Sequence, residues 1–251
     1  MLQQVKTLKK DKTEFLIDTP NLSIIVPCYK EALNIYNLTT QIKHFVTPAV
    51  NKWELIIIDD NSQDAIIHIC DKLKKTGFPV KLIIRKGKRG LASAVLEGFK
   101  HARADVLMVM DADLSHQPCT IPVFYNTVIN GADFVIGSRY INGGKTDDKW
   151  TFYRYINSKF ASLLAKPLVS VTDPMSGFFA LHRSLLERCE NIVTIGYKIA
   201  LELIVKSKPE NLKEIPIYFR SRTKGKSKLT IKQQFLYLYH LLTLYKARYI
   251  K

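Results

Sequence analysis

The run VLMVMDAD, Val106 to Asp113, continuing as LSHQP to Pro118, decides how this chain folds. Five consecutive apolar residues are short for a helix and suit a strand buried on both faces. The run stops at two carboxylates. At a strand end, residues i and i+2 project to the same side, so Asp111 and Asp113 share one side. Four similar runs surround it: LSIIV at 22–26, stopped by Pro27; WELIII at 53–58, ending in Asp59-Asp60; VKLII at 80–84; and FVI at 134–136. Between them, helix-period segments occupy 31–46, about 63–75 and 91–102, and Pro118 opens a fourth. Strand and helix alternate through short connections, which predicts an α/β fold: a mostly parallel sheet flanked by helices on both faces.

The second half is less regular. A helix is expected over 150–165, a turn and strand over 173–182, and a short helix over 198–206. Residues 212–219 form an edge strand interrupted by Pro216, and 220–228 (RSRTKGKSK) a basic loop. From Thr230 a helix carries one apolar stripe of Ile231, Phe235, Leu238, Leu242 and Tyr245, beside a stripe of Lys232, Tyr239, Thr243 and Lys246. The organisation expected is a mobile lead-in over 1–20, a catalytic domain over 21–229 and an amphipathic helix over 230–251. There is no internal repeat.

Composition narrows the function classes. The 251 residues are 47% hydrophobic, enough for a sizeable core and too apolar for disorder. Cys28, Cys70, Cys119 and Cys189 form no CxxC pair, so four reduced thiols are expected. The N-terminus has charges where a secretory signal needs an apolar stretch. Between Lys232 and Lys246 lie 13 uncharged residues, fewer than the roughly 20 of a spanning helix. Net charge is +16. From Lys206 onward twelve Lys and Arg face only Glu210 and Glu214. Such a block seeks an anion: a nucleic acid, an anionic membrane or a phosphorylated substrate.

Ligands of open α/β sheets bind at the carboxyl ends of strands. Tyr29 and Glu31, Asp59 and Asp60, and Asp111 and Asp113 all fall there. Alone, a DxD is ordinarily a solvated turn. At a buried strand's end, beside other acids, two close carboxylates call for a cation, and Mg²⁺ takes one or two carboxylates plus substrate phosphates. A glycosidase pair fits less well, because its acids usually come from separate elements across a sugar. Neither GxGxxG nor a Walker A sequence occurs, which disfavours dehydrogenases and P-loop enzymes. Tyr29 suits a base or ribose face and Glu31 a base or ribose donor, although Glu31 also suits a helix start. Arg139 follows the fifth strand, Arg154 and Ser158 are one helical turn apart, and Arg222 and Lys228 bracket Gly225. Acids for a metal and bases for phosphates together suggest a diphosphate-bearing donor and an anionic acceptor.

Eight segments now carry a resemblance: SIIVPCYKE (23–31), ELIIIDDNSQD (54–64), GKRGLASAVLEGF (87–99), VMDADLSHQP (109–118), DFVIGSRY (133–140), DPMSGFFALHRS (173–184), GYKIALELIVK (196–206) and FRSRTKGKSKL (219–229). In this order the chain resembles family 2 glycosyltransferases of the Rossmann-like GT-A fold, and within them the dolichyl-phosphate (polyprenyl-phosphate) mannosyltransferases. The resemblance implies an inverting transfer of mannose from GDP-mannose to a polyprenyl phosphate. It matches Pro27, Tyr29, Glu31, Ile58 and Asp60 to the nucleotide-binding segment. Asp111 and Asp113 match the metal and diphosphate motif, with Mg²⁺ or Mn²⁺ as the metal and Ala112 touching the donor. Ser115 stands where some relatives carry a Gln ligand. Arg139, Arg222 and Lys228 match donor or acceptor phosphate contacts, and Arg154 and Ser158 match residues near the lipid phosphate. Lys30 replaces a more usual Asn and Ala92 a commoner Gly.

The implied partners are dolichyl phosphate, a membrane surface and a small membrane-anchoring subunit, with no nucleic acid expected. The implied location is the cytoplasmic face of a membrane, bound peripherally: endoplasmic reticulum in a eukaryote, plasma membrane in a prokaryote. Rival readings are a UDP-glucose donor on the same fold, a nucleotidyltransferase activating a sugar phosphate, and a non-enzymatic polyanion binder. The last leaves acids at three strand ends unexplained.

Overall fold

The computed structural model describes residues 19–87, 89–148, 152–190, 192–193, 198–221 and 231–249, with side chains from 155 and from 233 in the helices that begin at 152 and 231. The elements run β1 (Leu22–Cys28), α1 (Ala32–Val46), β2 (Trp53–Asp59), α2 (Ile66–Lys75), β3 (Val80–Ile84), α3 (Leu91–His101), β4 (Val106–Val109), α4 (Ile121–Ile129), β5 (Phe134–Ser138), β6 (Lys145–Thr146), α5 (Phe152–Ala165), β7 (Phe179–His182), α6 (Ser184–Glu187), α7 (Ile199–Ser207), β8 (Leu212–Pro216), β9 (Tyr218–Phe219) and α8 (Ile231–Tyr249).

Seven strands form one sheet in the order β3-β2-β1-β4-β7-β5-β8. Pairings are parallel except those of β7, which lies antiparallel between β4 and β5. β8 is an edge, as Pro216 predicts. After that proline the chain leaves the sheet, and β9 pairs with β6 in a separate two-stranded ribbon. β1 runs past the expected stop: Pro27 stays in register opposite Ile58 and Cys28 opposite Asp59.

Alternation along the central strands explains the continuous apolar runs. Leu22, Ile24 and Val26 of β1, with Leu55 and Ile57 of β2, join one buried cluster with Ile35, Leu38 and Ile42 of α1, Cys70 and Leu73 of α2, and Phe124 of α4. Ile25, Ile56 and Ile58 face the other way, into a cluster with Val95 of α3, Leu201 of α7 and Tyr237, Leu241 and Leu244 of α8. A strand buried on both faces has no polar positions to alternate with. At Gly98 a Cβ would sit 2.3 Å from Ile25 Cγ2, so α3 lies closer to β1 than any larger residue allows.

α2 starts at Ile66, three residues later than the sequence predicts. Asn61 and Gln63 adopt left-handed φ of 56° and 54°, and Asp64 Oδ1 accepts from Ile66 N, the first helical residue, at 3.2 Å. The loop therefore takes residues that the periodicity had assigned to the helix.

α8 corrects the reading of its faces. Tyr237, His240, Leu241 and Leu244 turn inward. Of the stripe expected from spacing, Phe235, Leu238 and Leu242 instead face out, 68%, 44% and 61% exposed, whereas Tyr245 packs against the inner cluster and the Ile231 side chain lies outside the described residues. Tyr237 and Tyr245 donate to the carbonyls of Ala161 and Leu164 on α5, at 2.6 and 2.8 Å. His240 Nε2 meets Glu202 Oε2 of α7 at 3.0 Å, and Lys206 holds the other oxygen at 2.7 Å. Among the described residues no helix is long and apolar enough to cross a membrane.

Candidate active site

β4 delivers the acidic loop. Met110 N still donates to Ile25 O at 3.1 Å, and then the chain turns. Asp111 N donates to His116 Nδ1 at 3.0 Å, Leu114 takes a left-handed φ of 63°, and Asp113 Oδ1 accepts from Ser115 N at 3.0 Å. Asp113 is buried at its strand end, whereas the Asp111 side chain is one-third exposed. The loop thus presents one carboxylate outward and uses the other partly to hold its own shape.

His116 is the pin of this loop and was not anticipated. It stacks on Phe178 at 4.8 Å and meets Phe219 edge-on at 5.4 Å. Burial pushes its pKa down, against the opposing pull of Asp111 and Asp113. Because Nδ1 accepts from Asp111 N, the neutral ring carries its proton on Nε2, 3.9 Å from Asp111 Oδ2. The sequence shows no obvious His–acid pair; folding creates this approach, too long for a hydrogen bond. Gly177 lies beside it: a Cβ there would make ordinary van der Waals contact, 3.6 Å from Asp111 Oδ1 and 3.7 Å from His116 Cε1.

The donor set fits a hard cation. Asp111 and Asp113 offer carboxylate oxygens, and the buried Ser115 Oγ has no hydrogen-bond partner. Ser115 O is used instead, accepting from Arg220 N at 3.0 Å. Among the described residues no group of three His, Cys, Asp or Glu gathers. Two carboxylates with room for substrate phosphate oxygens are what Mg²⁺ ordinarily uses, and Mn²⁺ accepts the same ligands.

Beyond β5, Arg139 is buried and paired. Its Nε and Nη2 donate to the two oxygens of Asp173 at 2.6 and 2.7 Å, and its backbone N donates to Oδ2 at 3.0 Å. Nη2 also reaches Ser158 Oγ at 3.2 Å, where Tyr140 donates at 2.9 Å. The structure therefore brings Arg139 and Ser158 together. Arg154 lies on the same helix as Ser158, with its side chain outside the described residues, as are Arg222 and Lys228.

Sequence reasoning missed Asp173 and Lys198, although both stand in quoted segments. Asp173 is fully buried, and its own backbone N donates to Glu214 at 3.2 Å. Lys198 Nζ donates to Met175 O at 2.6 Å. Burial, then the Arg139 charge, push its pKa down to about 7, while Asp173 and Asp111 oppose them.

The β1 and β2 ends form the other half of the edge. Pro27 and Ile58 are register partners there. Asp59 takes both the backbone N and the hydroxyl of Ser62, and Ser62 Oγ accepts from Lys30 N at 2.8 Å. The two loops are tied at Lys30, which has a left-handed φ of 59°. Glu31 accepts from Asn34 Nδ2 at 2.7 Å, and Ala112 is buried beside the acids. Asp60 is engaged by Arg85, whose Nε donates at 2.7 Å, and by Gly90 N at 2.9 Å. Burial and the Asp59 charge raise the Cys28 thiol well above its ordinary range, so no thiolate nucleophile forms. A cavity of about 490 Å³ opens against Tyr29, Lys30, Asn61, Gln63, Asp64 and Arg89.

Residues 23–189 match the model of glycosyl transferase family 2. The chain is 43% identical over 235 residues to a dolichol-phosphate mannosyltransferase of Saccharomyces cerevisiae, covering 90% of this chain and 88% of that one. It is 39% identical to one of Mycosarcoma maydis, covering 92% and 81%, and 40% identical to one of Pyrococcus furiosus, covering 90% and 64%. Among solved structures, glucosyl-3-phosphoglycerate synthase from Mycobacterium tuberculosis, in complex with Mn²⁺, UDP and glucosyl-3-phosphoglycerate, superposes with a TM-score of 0.64 at 17% identity, covering 91% and 80%. That likeness carries the fold. With carboxylates at the end of β4, a buried guanidinium at the end of β5 and relatives of this identity along nine-tenths of its length, the chain belongs to glycosyl transferase family 2.

Proposed function

We propose that this glycosyltransferase moves mannose from GDP-mannose to a dolichyl or other polyprenyl phosphate, with inversion, releasing GDP. What most supports the reading is the joint placement of Asp111, Asp113 and Arg139 at one end of the sheet, in a chain about 40% identical to dolichol-phosphate mannosyltransferases.

The chemistry asks little proton transfer of the protein. A phosphate monoester oxygen is already ionised at neutral pH, so it attacks the anomeric carbon without a general base. The bond from that carbon to the diphosphate oxygen breaks, and the electron pair leaves with GDP. His116 accords with this, since its neutral ring is committed to orienting the loop. Asp111, Asp113 and the Ser115 hydroxyl would hold Mg²⁺ or Mn²⁺, which neutralises charge developing on the leaving diphosphate. Arg139, with Ser158 beside it, orients the acceptor phosphate; Asp173 fixes the guanidinium so that no reorganisation is needed on binding. Arg154, Arg222 and Lys228 are assigned to the same two phosphate groups.

A lipid acceptor requires a membrane. α8 is joined to α5 through Tyr237 and Tyr245, and both helices expose apolar side chains, Phe235, Leu238 and Leu242 on α8 and Ile156, Phe160 and Leu163 on α5, with Lys246 and Arg248 near the end of α8. An apolar stripe beside cations suits an interface with anionic lipid. The enzyme acts peripherally, on the cytoplasmic face, with a small membrane-anchoring subunit as a partner. The stereochemical test is product analysis: transfer from the α-linked donor yields a β-linked mannosyl phosphate, and an α-linked product contradicts the single displacement.

A further inference from the structure

The cavity against β1 and β2 contains a cation that the reaction above leaves unused. Arg89 lies over the Tyr29 ring, its guanidinium carbon 4.6 Å from the centroid, and Nη1 donates to the Tyr29 hydroxyl at 2.9 Å. Arg89 is an exposed residue, yet its place is built. The next residue, Gly90, is clamped on both sides: its N donates to Asp60 Oδ2 at 2.9 Å, and its carbonyl accepts from Arg85 at 3.1 Å. Arg85 is itself ion-paired to the same Asp60. Gly90 has φ of 151°, a conformation that L side chains rarely adopt, and it immediately precedes α3 as its N-cap residue. Asp60, buried and bonded to these groups, anchors the loop that carries Arg89.

The sheet order and the cavity's volume together indicate what it holds. β4, which leads into Asp111 and Asp113, neighbours β1, and β2 lies beyond. Adjacent strands are about 4.8 Å apart. A diphosphate at the end of β4 therefore puts its nucleoside over β1 and β2, and about 490 Å³ accommodates a purine. Tyr29 backs the guanidinium and restrains its plane. A guanidinium has five N–H donors in a fixed fork, and the Tyr29 bond uses one.

We infer that Arg89 is a donor-specificity residue, presenting two N–H groups to the O6 and N7 acceptors of guanine from its perch on Tyr29. Guanine alone among the common bases offers two adjacent acceptors on that edge. Adenine pairs an acceptor with a donor there, and uracil has a single carbonyl. The fork therefore selects a guanosine over an adenosine or uridine diphosphate. This assignment rests on the GDP-mannose reading and names the group that enforces it.

The test is calorimetric binding of GDP, UDP and 7-deaza-GDP, which lacks the N7 acceptor, to the full-length wild type, Arg89→Ala and Arg89→Lys, with Mg²⁺ present throughout. The wild type binds GDP more tightly than either other ligand. Arg89→Ala loses roughly ten- to a hundredfold in GDP affinity, as expected for a bidentate base contact, changes UDP affinity about twofold or less, and no longer distinguishes GDP from 7-deaza-GDP. Arg89→Lys keeps the charge but not the fork and behaves like the alanine variant. Equal losses for GDP and UDP would make Arg89 a phosphate contact and overturn the inference, as would an unchanged GDP affinity in Arg89→Ala. A wild type that binds UDP and not GDP defeats the donor reading itself, and this inference with it.

Discussion

Asp173→Asn separates the support of Arg139 from the chemistry proposed for it. Asp173 is fully buried and accepts three hydrogen bonds from Arg139, whose side chain is only 8% exposed. Asparagine has nearly the same volume, so the change leaves no cavity and isolates the charge. It leaves a buried guanidinium without its counter-charge and turns an NH₂ group toward a donor. Removing one partner of such a pair costs about 3–5 kcal/mol. For a domain of this size, that lowers Tm by roughly 6–20 °C. Asp173→Asn/Arg139→Met recovers part of the loss, because the uncompensated charge is gone. Circular dichroism melts give the stability, and transfer assays at 20 °C, where the variant is folded, give the activity. Turnover falls in Asp173→Asn even there, because the guanidinium is no longer held against Ser158. A Tm within about 2 °C of wild type, or a double variant as unstable as the two single changes summed, refutes the reasoning.

Other perturbations probe separate parts. Asp111→Ala or Asp113→Ala abolishes transfer with the fold retained, read by assay and melt on the same pure sample; wild-type turnover in either contradicts the site. Lys198 has a folded pKa of about 7 against an ordinary 10.5. Between those values the unfolded chain binds the extra proton, so this group adds stability as pH rises from about 7 toward 10 and withholds it below 7. Lys198→Met therefore gains most over wild type near pH 6 and least near pH 9; an equal change at both pH values contradicts the assignment. Phe235→Glu/Leu242→Glu acts on outward side chains, so Tm stays within about 2 °C while co-flotation with vesicles containing phosphatidylserine falls several-fold; undiminished flotation removes α8 from the interface.

The sheet was legible because burial on both faces leaves a plain mark: short, continuous apolar runs with acids at their ends. The reversed direction of β7 was not, since an apolar strand reads alike in either sense and only its neighbours β4 and β5 set its orientation. The same distinction divides the site. Asp111 and Asp113 announce themselves by spacing at a strand end. Asp173 acts chiefly on Arg139, 34 residues away, and Lys198 through the carbonyl and charges folding gathers around it. His116 works through a backbone amide, which no side-chain pattern encodes. On α8 two apolar stripes coexist, and periodicity alone could not tell which one the tyrosine and histidine hydrogen bonds would turn inward.

The most direct measurement is transfer of label from radioactive GDP-mannose into dolichyl phosphate by the purified protein, with Mg²⁺ or Mn²⁺ and with EDTA. Label is expected in the organic phase, dependent on the metal, suppressed by unlabelled GDP-mannose and indifferent to UDP-glucose. Label that appears only from UDP-glucose would contradict the proposed function, and so would transfer at full rate in EDTA.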